Sequence, residues 1–136
     1  RICEDTSTLI NRDQVAEFVV PYTRKLLQAF GGGWCHYCGR NDHLYDAIMN
    51  DIPEYYVINF GNPDFHDMPA VIADCLEHNK SYLGTIERED GEQLKPYSPR
   101  MLSYTQGTGR GLLPTPHVKP EEDSADAVKL WRDLQR

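Results

Sequence analysis

Apolar residues at Val15, Phe18, Val19, Tyr22, Leu26 and Ala29 recur at the spacing of one helical face, and Asn11 with Gln14 three residues later resembles a capping box ahead of them. The pattern predicts a first helix that stops at the run Gly31, Gly32, Gly33. Pro21 falls inside it and withholds a backbone donor, so a kink or a split is expected there. Between Gly33 and Gly39 the short segment Trp34–Cys38 is apolar or aromatic and suits a buried strand. Asn41 or Asp42 then caps a helix that runs to about Asn50. The run Tyr55–Phe60 is unbroken β-prone sequence, as expected of a parallel strand with both faces covered.

Met68, Val71, Ile72, Cys75 and Leu76 mark a further helix beginning at Asp67, and Ser81–Ile86 a further strand. Glu87–Lys95 is charged and reads as a loop, followed by a weak helix over Pro99–Thr105 and a short strand near Gly111–Leu113. A last helix starts at about Glu121 and carries Ala125, Val128, Trp131 and Leu134, with acidic residues in its first turn where the helix dipole favours them. Helices and strands thus alternate without an internal repeat, which predicts parallel βαβ units and an α/β fold. Periodicity alone leaves open whether these form an open doubly wound sheet or part of a (β/α)8 barrel.

With 40% apolar and 26% charged residues over 136 positions, the composition is that of one globular domain. A net charge of −7 with scattered Lys and Arg excludes nucleic acid as a partner and gives no footprint for an anionic membrane. No stretch approaches the roughly 18 apolar residues of a spanning helix, and no signal-peptide pattern opens the chain. Cys3, Cys35, Cys38 and Cys75 lie in α/β surroundings rather than in a small loop-rich scaffold, so reduced thiols and a cytoplasmic location are expected.

The segment Trp34-Cys35-His36-Tyr37-Cys38-Gly39-Arg40 holds the most chemistry. Alternation along a strand puts His36 and Cys38 on one face and Cys35 and Tyr37 on the other. His36 and Cys38 can then converge on a borderline-soft ion such as zinc, at the strand end where α/β folds hold ligands. They can equally be a hydrogen-bonded core histidine and a small buried thiol. Cys35 and Cys38 as a redox pair would need a helix N-terminus, and haem attachment would need His where Gly39 stands.

Asn59 to Asp67 form a second cluster at a strand end, where Asp64, His66 and Asp67 could take a metal or a polar substrate, although Asn62-Pro63 suits a turn and Asp67 a helix cap. His43 could serve the site or, in a helix first turn beside Asp42, be solvated surface, and Cys75 reads as core. Gly107 to Gly111 lacks the spacing of a phosphate-binding P-loop. Arg110 there could pair with a carboxylate, and His117 is the one residue of that region able to add a nitrogen or sulfur ligand.

Glu4-Asp5-Thr6-Ser7-Thr8-Leu9-Ile10, Glu17-Phe18-Val19-Val20-Pro21-Tyr22, Gly32-Gly33-Trp34-Cys35-His36-Tyr37-Cys38-Gly39 and Ile58-Asn59-Phe60-Gly61-Asn62-Pro63 together resemble the second half of the uroporphyrinogen decarboxylase superfamily. The resemblance runs over nearly the whole chain. It implies that residues 1–136 are a partial domain, the C-terminal portion of a (β/α)8 TIM barrel with about four parallel strands and flanking helices. It also implies one of two chemistries: decarboxylation of a tetrapyrrole's acetate side chains without cofactor, or zinc-dependent methyl transfer from a corrinoid to a thiol.

In the methyltransferase branch His36 and Cys38 match the first two zinc ligands, and a cysteine near the last strand supplies the third. No cysteine follows Cys75 here, so His117 is expected in that role, with an open position for a substrate thiol. Arg40, Asn59, Asn62 and Asp64 are expected to face the small-molecule substrate, and a corrinoid protein is an expected partner. The decarboxylase branch carries its arginine-rich motif and catalytic aspartate in its N-terminal half. Because such a barrel takes about 250 residues, this chain is expected to pair with the missing N-terminal half or with a second copy. The rival expectation is a non-catalytic remnant or binding domain that keeps the fold.

Overall fold

Five short strands, Ile2–Cys3 (β1), Gly33–Tyr37 (β2), Tyr55–Phe60 (β3), Ser81–Gly84 (β4) and Leu112–Pro114 (β5), form one sheet in the order β1-β2-β3-β4-β5. Every neighbouring pair is parallel. The structure is a computed structural model that describes residues 1–134. The sequence predicted about four strands; β1 is the addition, and its two residues are too few to show an alternation. The chain is therefore α/β with an all-parallel sheet, and the alternation of strands and helices is as predicted.

The connections carry helices α1 (Arg12–Gln14), α2 (Val20–Ala29), α3 (Asp42–Asn50), α4 (Met68–Glu77), α5 (Leu94–Tyr104) and α6 (Ser124–Leu134). In a sheet of consecutive order, crossovers of one hand place every helix on the same side. Burial along the strands agrees. Cys35, Tyr37, Ile58, Phe60, Tyr82 and Leu112 are at most 4% exposed. Trp34, His36, Val57, Asn59, Ser81 and Leu83 on the opposite face are only half-buried, and Cys3 and Leu113 are exposed. The expectation that β3 has both faces covered is thus corrected: one face carries the core and the other is open.

The Asn11 capping box forms as predicted, with Gln14 N–H donating to Asn11 Oδ1 at 3.0 Å and Asn11 N–H to Gln14 Oε1 at 3.1 Å. Between α1 and α2 the chain continues through a π-helical stretch, Val15–Val19, so the expected kink at Pro21 takes the form of one widened turn just before it. That extra residue rotates the later turns of the helix. The buried face is Val15, Val19, Thr23 and Leu27, whereas Phe18, Tyr22, Leu26 and Phe30, read in part as the core stripe, are exposed. Gly31 and Gly32 end α2 at φ of 74° and 106°, and Gly32 N–H donates back to Leu27 O at 2.8 Å.

Toward the C-terminus α5 begins at Leu94, five residues before the expected start. Pro96 sits in its first turn, where no donor is needed. The charged run before it is a packed loop: Arg88 forks onto Glu122 with two bonds of 2.8 Å, Arg100 holds Glu92 at 2.6 Å, and both guanidinium groups lie over the Tyr97 ring. In α6 the residue that enters the core is Ala127, not the predicted Ala125 and Val128. Among the described residues no helix is long and apolar enough to cross a membrane.

Burial holds the Cys35 and Cys75 thiols above their ordinary value of 9.0, Cys75 at about 12. The unfolded chain ionises first as pH rises, so the stability these thiols confer is complete below pH 9 and is lost toward pH 12. Replacing Cys75 with alanine is expected to flatten the alkaline fall of unfolding free energy by up to about 1.4 kcal/mol per pH unit. Urea titrations on either side of pH 9 measure it, and an unchanged slope would mean the thiol is not buried.

Candidate metal centre

Parallel strands in consecutive order bring all their carboxyl ends to one edge of the sheet, and residues just past those ends become neighbours. Cys3 on β1 is the register partner of His36 on β2, which is in turn the partner of Asn59 on β3. Two residues further along, Asp5 and Cys38 meet: the Cys38 N–H donates to Asp5 Oδ1 at 2.7 Å. Among the described residues, Asp5, His36 and Cys38 are the one group of three or more His, Cys, Asp or Glu whose ligand atoms all lie within 4.8 Å of one another.

His36 Nε2 and Cys38 Sγ are 3.6 Å apart. Zinc bonds of about 2.3 Å to sulfur and about 2.0–2.1 Å to nitrogen, set at a tetrahedral angle, require a separation of about 3.6 Å. The same spacing suits an S–H···N hydrogen bond in the metal-free protein. Cys38 is exposed and follows the end of β2, which removes the reading of it as a buried core thiol. Cys35, fully buried on the other face, belongs to the core, so the two do not form a redox pair.

The Asp5 carboxylate, through its hydrogen bond and its charge, raises the Cys38 thiol above its usual value. Without a cation this thiol stays protonated at neutral pH; a dication between the two groups reverses the balance. The donor set of one carboxylate oxygen, one imidazole nitrogen and one thiolate matches zinc, and its two negative charges would neutralise the ion.

His117 lies elsewhere. It follows β5, three strands from β2 and so about 14 Å along the sheet at ordinary strand spacing. Its Nδ1 is 4.0 Å from Glu87 Oε2, and its side chain is 60% exposed. Asp5, rather than His117, is the side chain that meets His36 and Cys38. Sequence reasoning passed over Asp5 because only nitrogen and sulfur were considered for the third ligand. No local signal marks it, because the strand that Asp5 follows is two residues long and pairs with the His-x-Cys strand across 33 residues.

Of the other expected site residues, Asn59, Asn62 and Arg40 have defined partners. Asn59 Oδ1 is 2.6 Å from His36 Nδ1, and its Nδ2 donates to Leu83 O at 2.6 Å. Asn62 Oδ1 accepts from Gly39 N–H at 2.9 Å, fixing the loop that follows Cys38. Arg40 pairs with Asp42 at 3.0 Å on the surface. Asp64 is exposed at a shallow cavity of about 250 Å³ that Glu87, Arg100 and Tyr104 also line. His66 stacks on Phe60 at 3.8 Å, with Nε2 3.2 Å from Gly39 O, and burial lowers its pKa. Asp67 caps α4 through Ala70 N–H as expected, and His43 is exposed, in keeping with the second of its two readings. No protein-family model, curated protein or solved structure matches the chain.

Proposed function

We propose that this chain is the C-terminal part of a (β/α)8 barrel of the uroporphyrinogen decarboxylase superfamily, and that Asp5, His36 and Cys38 hold a zinc ion used for methyl transfer from a corrinoid to a thiol. The convergence of the three ligand atoms within 4.8 Å carries the reading. Zinc bound there would supply the positive charge that keeps a substrate thiol ionised at neutral pH. Asp5 and Cys38 would balance that charge, and His36 would bind as the neutral imidazole. The site lies at the carboxyl edge on the open face of the sheet, where a substrate and a corrinoid protein can reach it.

The consecutive parallel order and the single covered face are what a piece of such a barrel requires. The open face, both sheet edges and the exposed Phe18, Tyr22, Leu26 and Phe30 are surfaces that an N-terminal half-barrel would cover. All four cysteines are free, which supports the cytoplasmic location proposed with this reading.

Elemental analysis of the full-length protein tests the proposal. The expected result is one zinc per chain, lost in Cys38→Ser and in Asp5→Ala and kept in His117→Ala. Absence of metal from the wild type would overturn it in favour of cofactor-free decarboxylation or a non-catalytic role. Loss in His117→Ala with retention in Asp5→Ala would restore the third ligand expected from sequence.

A further inference from the structure

The two ring nitrogens of His36 meet different surroundings. Nδ1 lies 2.6 Å from Asn59 Oδ1, and Nε2 lies 3.6 Å from Cys38 Sγ. Which nitrogen bears the hydrogen is decided by Asn59. Its Nδ2 donates to the Leu83 carbonyl at 2.6 Å, and a carbonyl can only accept, so the amide has one orientation, nitrogen toward β4 and oxygen toward β2. Its oxygen can likewise only accept, so at 2.6 Å the His36 Nδ1 must be the donor. In the neutral ring Nε2 is then unprotonated, with its lone pair directed into the group formed with Asp5 and Cys38.

The backbone register makes this arrangement rigid. His36 and Asn59 are direct partners on β2 and β3, and the Leu83 carbonyl belongs to β4, the strand beyond. One side chain therefore spans three strands on the open face. Alanine there would release the ring; leucine would leave the Nδ1 hydrogen facing apolar atoms.

We infer that Asn59 is a positioning residue of the metal centre: it selects the His36 tautomer that offers Nε2 as a ligand, and does so before any metal arrives. The inference rests on the metal reading for its purpose, but the tautomer is a property of the metal-free protein. Removing such an outer partner lowers metal affinity by about 10–100-fold in other sites. Asn59→Ala is expected to fall in that range for zinc and to populate both tautomers. Asn59→Asp keeps an acceptor for Nδ1–H but loses the donor to Leu83 O. It is expected to preserve the tautomer and hold zinc affinity near the wild-type value while unfolding more easily. A purely structural role for Asn59 would make zinc affinity track stability across the two variants, which this split does not.

The experiment combines long-range ¹H–¹⁵N spectra of the metal-free protein, at a pH above the ordinary histidine range, with zinc titration against a chromophoric chelator. Protonated Nδ1 in the wild type and in Asn59→Asp, a mixture in Asn59→Ala, and the affinity loss confined to Asn59→Ala support the inference. Protonated Nε2 in the wild type overturns it. Zinc binding by Asn59→Ala equal to wild type overturns it while the metal reading stands. The stated tautomer with no zinc bound by the wild type overturns the metal reading and, with it, the purpose assigned to Asn59.

Discussion

Gly61→Ala is expected to weaken zinc binding at the proposed site without changing any proposed ligand. The Gly61 N–H donates to Tyr37 O at 2.9 Å, so the residue after β3 lies directly beside the residue after β2. A Cβ at this position would press on Cys38 Sγ and stand 3.3 Å from Cys38 Cβ. Gly61 is not among the residues with positive φ, so alanine is allowed on backbone grounds and the conflict is with the thiol. A thiol yields by rotating about χ1, and that rotation carries Sγ away from His36 Nε2. Zinc affinity should fall on the order of 100-fold, the upper end for loss of a ligand's support. The thermal unfolding midpoint should move little. Chelator competition and thermal unfolding on the same sample check both, and unchanged affinity would show that Cys38 does not bind metal in this rotamer.

Glu4→Ala is expected to lower the unfolding free energy by about 2–6 kcal/mol, because it strands two buried hydroxyl donors at about 1–3 kcal/mol each. Glu4 is 7% exposed, and its carboxylate accepts from Ser7 Oγ at 2.6 Å, Thr23 Oγ1 at 3.0 Å and Tyr55 OH at 3.2 Å. It thereby ties the end of β1 to the turn Asp5–Leu9, to α2 and to β3. Alanine leaves the hydroxyls of Thr23 and Tyr55 buried without this acceptor. Glu4→Gln keeps an oxygen in place and should lose only about 1–2 kcal/mol. Urea denaturation of the three proteins measures the series. Equal losses in both variants would mean that the charge, not the acceptor, is what the site needs. Asp5 is the next residue, so a loosened Glu4 should weaken metal binding as well.

How far the chain could be read in advance depended on how locally each feature is encoded. The order of strands and helices was legible because Tyr55–Phe60 and the Met68 to Leu76 pattern each carry their own periodicity. The pairing of His36 with Cys38 was legible for the same reason, since alternation is a property of one strand. Asp5 was not, because its position depends on the pairing of β1 with β2, a contact across 33 residues that no window of sequence contains. In the first helix Val15 and Val19 are buried as expected, but past the single widened turn the buried face runs through Thr23 and Leu27 rather than Tyr22 and Leu26, and Phe18 is exposed. Asn59 looked like a residue for substrate. Its bonds to His36 and Leu83 O exist only once three strands are side by side.

The strict sequence order of the sheet bears on how the molecule is made. No strand has to be inserted between two that are already paired, so each can join the growing edge as it leaves the ribosome. All three proposed ligands belong to β1 and β2 or to the residues just after them, and Asn59 arrives with β3. The proposed metal would therefore find its ligands on a nascent chain, well before α5, β5 and α6 have been synthesised.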